Sequence, residues 1–188
     1  TINVIQRKQK IGIVKKQDTL ENQANYAYLA LGSNMGNKIN NLELTKFKLS
    51  KIGVKIIKSS SYYHTKSWPN KNFPDFINSI LLVKTNLLLT ELFNEIKLIE
   101  KTLGRKKMPK NYPRVCDIDI IDFNGKCLEV KLKSQKIKIP HSNMHKRNFV
   151  LIPLYEINQN WLHPKFKKNI VNLLSTLPNN DLRSIKFG

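Results

Sequence analysis

Acidic residues are scarce in this chain. Thirteen Asp and Glu stand against 33 Lys and Arg, giving the 188 residues a formal net charge of +20 at pH 7. That imbalance points to an anionic partner: nucleic acid, an acidic membrane surface or a phosphorylated small molecule. Arginine is scarce as well. Only Arg7, Arg105, Arg114, Arg147 and Arg183 occur, and every other basic residue is a lysine. Nucleic-acid readers concentrate arginine and aromatic residues in one segment, and no segment here does so. The dispersed lysines read as a solvated surface, so no nucleic-acid partner is expected; a basic nucleic-acid-binding module is the alternative reading. The two cysteines, Cys116 and Cys127, cannot build a disulfide framework, which fits a reducing compartment. The longest apolar stretches, "FINSILLV" and "NLLLTELF", stop well short of the roughly 18 residues a membrane span needs. No membrane partner is expected. There is no internal repeat.

What remains is enough for one domain with a proper core. The chain begins at Thr1 rather than Met. Residues 1–24 are basic, with no acid before Asp18. They read as a polar extension, a linker from a fused domain or the remnant of a targeting segment. Residues 25–188 read as the folded domain. Cytoplasm is the expected compartment, or an organelle if the leading segment is a targeting remnant.

From Tyr26 the pattern is regular. "YAYLAL" is a strand running into Gly32 and the turn-rich "GSNMGNK". Ile39, Leu42, Thr45, Leu49 and Ile52 recur at helical spacing, and Gly53 stops that helix. Residues 54–64 read as one long strand, 65–74 as a loop, and 75–85 as another strand. Thr90 is placed to cap a second helix carrying Leu92, Ile96, Ile99 and Leu103. The basic loop 105–113 leads to a strand at 115–121, a turn at 122–125 and a return strand at Cys127–Val130. A short strand at 137–141, a buried helix at 148–157 and an amphipathic piece at 169–177 follow. The order β-α-β-β-α-β implies an α+β fold with a ferredoxin-like core: a mostly antiparallel sheet with helices packed on it, three layers α/β/α.

The residues "NYPRVCDIDII" (111–121) carry the strongest chemical signal. Val115, Ile118, Ile120 and Ile121 favour a strand, and side chains alternate faces along it, so Asp117 and Asp119 point the same way with α-carbons about 6.6 Å apart. Like charges so close repel, and something positive is expected between them. Magnesium takes one or two carboxylates together with substrate phosphates and water. Arg114 lies just upstream, and Arg105, Lys106, Lys107 and Lys110 line the preceding loop, as a polyphosphate requires. An ordinary acidic strand edge is the plainer reading. "GSNMGNK" is no Walker A loop, since three residues separate its glycines and no Ser or Thr follows Lys38. Cys116, Cys127, His141 and His145 lack zinc-finger spacing. Cys116 shares the face of Ile118 and reads as a core thiol. His141 and Arg147 in "PHSNMHKR" are placed to meet phosphate. Phe76 and Asn78 share a strand face, so rings, with Phe149, offer stacking for a flat heterocycle while Asn78 offers donor and acceptor to its edge. Core packing is the plainer reading of both rings.

Taken together, "ALGSNMGN", "SSYYHT", "PDFIN", "IEKTLGR", "PRVCDIDII" and "PHSNMHKR" resemble, in order, the motifs of the 6-hydroxymethyl-7,8-dihydropterin pyrophosphokinases of folate biosynthesis. The resemblance implies transfer of pyrophosphate from ATP to the pterin hydroxymethyl oxygen, leaving AMP. It implies two Mg2+ ions on Asp117 and Asp119, with Arg105 and Arg114 completing the catalytic group. Thr65, Phe76, Asn78 and Phe149 would bind the pterin. Lys97, Glu100, Arg105, Lys107, Arg114, Ile120, His141 and Arg147 would bind ATP. A fused or neighbouring folate-pathway domain is the implied protein partner. Tyr112 stands where the family has a small residue, Lys107 where a second arginine is common, and "TKSWPNKN" lacks the family's proline-rich first loop.

Overall fold

The computed structural model describes residues 24–67, 69–105, 109, 111–132 and 135–188. Its centre is strand β1 (Asn25–Ser33), which pairs antiparallel with β4 (Phe76–Thr85) on one side and β5 (Asp117–Phe123) on the other. Strands β2 (Lys55–Ser59) and β3 (Tyr63–Thr65) both pair with β4 along its other edge. Strand β8 (Lys186–Phe187) extends the sheet beside β3. The result is a six-stranded antiparallel sheet.

Alternation along the strands divides the apolar side chains between two faces. Leu29, Leu31, Leu81, Val83, Ile118 and Ile120 pack with helices α1 (Lys38–Lys51) and α2 (Leu89–Thr102), through Leu42, Leu49, Leu92 and Ile96. Tyr28, Ala30, Ile80 and Ile121 face the opposite way. They pack with α3 (Asn148–Ile157) and α4 (Ile170–Leu174) through Val150, Leu151, Leu154, Ile170 and Leu173. The sheet is therefore the middle layer of three, as the element order implies. A short helix α5 (Asn179–Ser184) precedes β8. No helix among the described residues is long and apolar enough to cross a membrane.

A β-bulge shapes β5. Leu29 faces Ile120 and Tyr28 faces Asp122, leaving Ile121 as the extra residue. The bulge turns both Ile121 and Asp122 toward the α3 side. There Asp122 is buried and accepts from Trp161 Nε1 and the Gly125 N–H, each at 2.9 Å.

Several expectations are corrected. The long strand at 54–64 is two strands, because the serines interrupt it. Ser60 Oγ accepts the Ile80 N–H at 2.9 Å, and the Ser61 N–H turns to Glu156. Hydroxyls that compete for backbone partners break a ladder in this way. Helix α2 starts at Leu89, so Thr90 is not its cap; instead Glu91 Oε2 reaches back to the Leu88 N–H at 2.7 Å, half of a capping box. Asp122 and Phe123 lie within β5 rather than in a turn. The return strand, β6 (Leu128–Leu132), pairs with β7 (Gln135–Ile139) and not with β5. Its alternating Leu128, Val130 and Leu132 instead lie against the first core. Ile39 is exposed and not on the buried face of α1. Helix α4 is shorter than 169–177, since Ser175 and Thr176 hydroxyls bond back to Asn172 and Leu173 carbonyls. Helix α5 and strand β8 were not expected. The segment 1–23 lies outside the described residues.

Both cores belong to one fold. Leu92→Ala and Leu151→Ala are each expected to cost about 2–5 kcal/mol as cavity-forming truncations. Urea unfolding measures this; a cost near zero for Leu151→Ala would show that α3 is not part of the cooperative unit.

Candidate active site

Strand register sets the site. Asn78 on β4 and Asp117 on β5 both lie opposite Gly32 on β1, and Tyr63 lies opposite Asn78. In the next row on the same face, Ile80 and Asp119 flank Ala30. This is the face that carries α3, so Asp117, Asp119 and Asn78 share one surface with Phe76. The central strand contributes only Gly32 and Ala30 between them, leaving a shallow floor two strand spacings, about 10 Å, across. Gly32 leaves room there: a Cβ would stand 3.1 Å from Asn78 Oδ1, so the amide would have to give way by a few tenths of an ångström, and 3.6 Å from the Phe76 ring.

The repulsion between the aspartates is met by cations. Arg105 Nη1 lies 2.8 Å from Asp117 Oδ1, and Arg114 Nη1 lies 2.9 Å from Asp117 Oδ2. Arg147 Nη1 lies 3.3 Å from Asp119 Oδ2, with His141 Nε2 at 3.9 Å. All six side chains are partly exposed. The His141 N–H donates to the carbonyl of Ile121 at 3.0 Å, so the bulge anchors this histidine beside Asp119. His141 Nδ1 accepts from the Asn143 N–H at 3.4 Å, which leaves Nε2 to carry the proton of the neutral ring toward Asp119. Burial lowers the pKa of His141, against the opposing pull of Asp119.

Glu100 sits beneath these cations. It is 1% exposed; Oε1 accepts the Ile118 N–H at 2.9 Å and lies 2.5 Å from Arg105, while Oε2 pairs with Lys97 at 3.0 Å. Burial pushes its carboxyl above the ordinary range, against the pull of Lys97, the Ile118 N–H and Arg105. Glu100 thereby fixes Arg105 to β5 from behind.

On the other side of β1, Asn78 Nδ2 donates to Thr65 Oγ1 at 2.8 Å, leaving its carbonyl oxygen directed over Gly32. Phe149 is half-buried at the start of α3, with the Arg147 guanidinium 5.5 Å from its ring centre. The structure does not bring the Ile120 side chain to this surface; it is buried in the first core. Cys116 is likewise buried there, 3.1 Å from Thr45 Oγ1, and burial pushes its thiol up to about 12. Lys107 lies outside the described residues. A cavity of about 700 Å³ lies at the far end of β1 and β5, lined by Tyr26, Tyr28, Asp122 and Lys126 among others; none of the expected site residues lines it.

Sequence reasoning missed Asn34. It is 1% exposed and bonds to Arg114, Ser67 and Pro74. Its position just after Gly32 and Ser33 marks only a turn; partners 33 to 80 residues away leave no local signal.

Comparison with known proteins supplies the family. The model of the family 7,8-dihydro-6-hydroxymethylpterin-pyrophosphokinase (HPPK) matches residues 28–159. The chain belongs to the HPPK family. It is 40% identical over 141 residues to the 2-amino-4-hydroxy-6-hydroxymethyldihydropteridine pyrophosphokinase of Aquifex aeolicus, covering 75% of this chain and 85% of that one. It is 33% identical over 172 residues to the folic acid synthesis protein fol1 of Pneumocystis carinii, covering 92% of this chain but only 22% of that protein. Among solved structures, Plasmodium falciparum HPPK-DHPS with pteroate matches with a TM-score of 0.70 at 17% identity, over 90% of this chain and 47% of that one. That likeness concerns the HPPK fold. The chain thus spans about a fifth of the Pneumocystis relative and about half of the Plasmodium one.

The role of Glu100 is testable. Glu100→Gln is expected to destabilise the chain by about 1–3 kcal/mol, because a charge-assisted bond to Arg105 is replaced by a weaker one in a buried setting. Chemical denaturation reads this; unchanged stability would show that the carboxylate does not hold Arg105 and β5 together.

Proposed function

We propose that this HPPK domain, residues 25–188, transfers pyrophosphate from ATP to 6-hydroxymethyl-7,8-dihydropterin, giving the pterin diphosphate and AMP. One observation carries the reading: Asn78 and the aspartate pair flank the small residues of β1 on one sheet face. A substrate lying across β1 meets an amide at one end and paired carboxylates among arginines at the other.

The pterin end is built for a flat heterocycle. The Asn78 amide offers donor and acceptor to the ring edge, with its geometry set by Thr65. Phe76 and Phe149 supply apolar faces on the same side of the sheet. The phosphate end holds Arg105, Arg114, Arg147 and His141, with Lys97 and Glu100 behind them. In this structure the guanidiniums are spent on the aspartates. With ATP bound, Arg105, Arg114 and Arg147 exchange carboxylate for phosphate oxygens, which arginine engages with its planar fork.

Asp117 and Asp119 fit magnesium. They are hard oxygen donors, side by side, partly exposed and surrounded by phosphate-binding cations, and Mg2+ needs only one or two such carboxylates when phosphates and water complete its shell. Two ions are the expected number for the family. When bound, magnesium neutralises charge that builds on the phosphate oxygens. The chain's own residues position the hydroxymethyl oxygen in line with the β-phosphorus, which is where most of the acceleration in phosphoryl transfer arises. Arg105 and Arg114 steady the charge of the departing AMP side. Water excluded from the floor by the bound pterin cannot compete as acceptor.

The multidomain relatives support a chain that works beside a second folate-pathway domain; residues 1–24 would then serve as a basic extension or linker, and the compartment would be the cytoplasm, or an organelle if that segment is a targeting remnant. The test of the activity is direct. Incubation with ATP, Mg2+ and the pterin should yield AMP and pterin diphosphate in equal amounts. Asp117→Asn and Asp119→Asn should each lower the rate by at least about a hundredfold, the scale of losing one electrostatic stabiliser, while circular dichroism stays unchanged. Full AMP production by the double variant would refute the assignment.

A further inference from the structure

The candidate active site occupies one end of β1, and the cavity of about 700 Å³ lies at the other. There Tyr28 stands between Leu82 on β4 and Asp122 on β5, and in the next row Tyr26 pairs with Lys84. Alternation puts Tyr26 on the same face as Tyr28, the face that carries α3. Tyr26 is half-exposed, with the Lys84 ammonium 6.0 Å from its ring centre. Asn124 fixes its backbone. The Tyr26 N–H donates to Asn124 Oδ1 at 2.7 Å, and the Asn124 N–H donates to the Tyr26 carbonyl at 2.8 Å.

Asp122 is the acid of the cavity wall, and it is 3% exposed. Its two oxygens accept only neutral donors, Trp161 Nε1–H and the Gly125 N–H. Among the described residues no cationic side chain pairs with it, in a chain whose bases outnumber its acids 33 to 13. Asp117 and Asp119 are each paired with cations. A buried charge without an opposite charge is costly. A carboxylate accepts about four hydrogen bonds, so Asp122 keeps acceptor capacity. Beside it the Tyr28 hydroxyl accepts from Asn158 Nδ2 at 2.7 Å. Among the described residues the hydroxyl's own proton has no acceptor. Lys84, over Tyr26, and Lys126, in the cavity wall, are both exposed to water.

We infer that this cavity is a second ligand site, built for a planar cation: an aromatic ring bearing an amidinium or a protonated amino-heterocycle edge. The cationic edge donates to Asp122 and supplies the opposite charge that the carboxylate lacks. The flat body lies against Tyr26, a ring already within cation–π range of an ammonium. A ligand there displaces Lys84 into water, where an exposed lysine is well solvated. An anion of the same shape would meet Asp122 and be repelled. The inference is independent of the pyrophosphokinase reading, because no residue assigned to pterin or ATP lines this cavity.

Benzamidine, a flat ring with one amidinium, is the probe, titrated into the isotope-labelled chain and followed by NMR. Trp161 reports occupancy, because its indole N–H donates to Asp122. The chain has two tryptophans, so Trp68→Phe assigns the signal. Benzamidine is expected to shift the Trp161 indole resonance with half-saturation at about 1 mM or below, the weak end of ligand affinity. Asp122→Asn should weaken binding at least about tenfold, since a charge-assisted bond becomes a neutral one. Tyr26→Ala changes a half-exposed ring, should weaken binding at least about threefold, and decides the matter if Asp122→Asn fails to fold by circular dichroism. Benzoate, the same ring with the opposite charge, should leave the indole signal in place. A Trp161 resonance unmoved by benzamidine overturns the inference, and so does benzoate binding as tightly. A folded Asp122→Asn or Tyr26→Ala protein with wild-type affinity overturns it too.

Discussion

Two carboxylates held on one face of one strand repel each other, and the surroundings of Asp117 and Asp119 are organised around that repulsion. Arg105 and Arg114 take Asp117, while Arg147 and His141 take Asp119. These four cationic or ionisable groups come from three separate stretches of chain. Three of the four are fastened by something else: Arg105 by buried Glu100, Arg114 by Asn34 through its backbone, and His141 by the Ile121 carbonyl at the bulge. The cluster is a set of charges in mutual compensation. On the proposed pyrophosphokinase reading, its members re-pair with an incoming polyphosphate and its cations without leaving any of them bare, a use of partly exposed ion pairs that goes beyond their small contribution to stability.

The sheet converts that cluster into a site. Antiparallel pairing fixes Asn78, Gly32 and Asp117 in one row, so the spacing between the amide and the carboxylates is set by the most rigid part of the fold and not by loops. The small residues of β1 keep the row open. Helix α3 covers the same face farther along and carries Phe149, and it is tied back to the sheet by Glu156, which accepts from the Tyr63 hydroxyl at 2.9 Å and from the Ser61 N–H at 3.0 Å. Burial and that hydrogen bond push the Tyr63 hydroxyl above its ordinary range, so it stays a neutral donor to Glu156.

Much of this was legible in the sequence, for identifiable reasons. Period-two alternation is strict in "CDIDI", up to the bulge at Ile121, so the shared face of the aspartates follows from residue type alone. Helical spacing marks α1 and α2, and glycines at positive φ, Gly53 and Gly104, follow the two helices, the first of them as expected. What was not legible depends on distant partners. The serines that split β2 from β3 do so by bonding to Ile80 and Glu156, and the β6–β7 hairpin leaves the main sheet because its apolar face fits the first core. Neither outcome is encoded within a window of ten residues. Asn34 is the sharpest case. A turn asparagine is ordinary in sequence, and only the folded chain shows it bridging two loops.

The central claim is that the aspartate pair exchanges its arginine partners for magnesium, while the released arginines take the nucleotide's phosphates. The most direct measurement is the affinity of a non-hydrolysable ATP analogue, with and without Mg2+, for the wild type and for the Asp117→Asn, Asp119→Asn double variant. The account predicts that Mg2+ tightens binding to the wild type by at least about tenfold, 1.4 kcal/mol, and has no such effect on the variant. Equal tightening by Mg2+ in both proteins would contradict it.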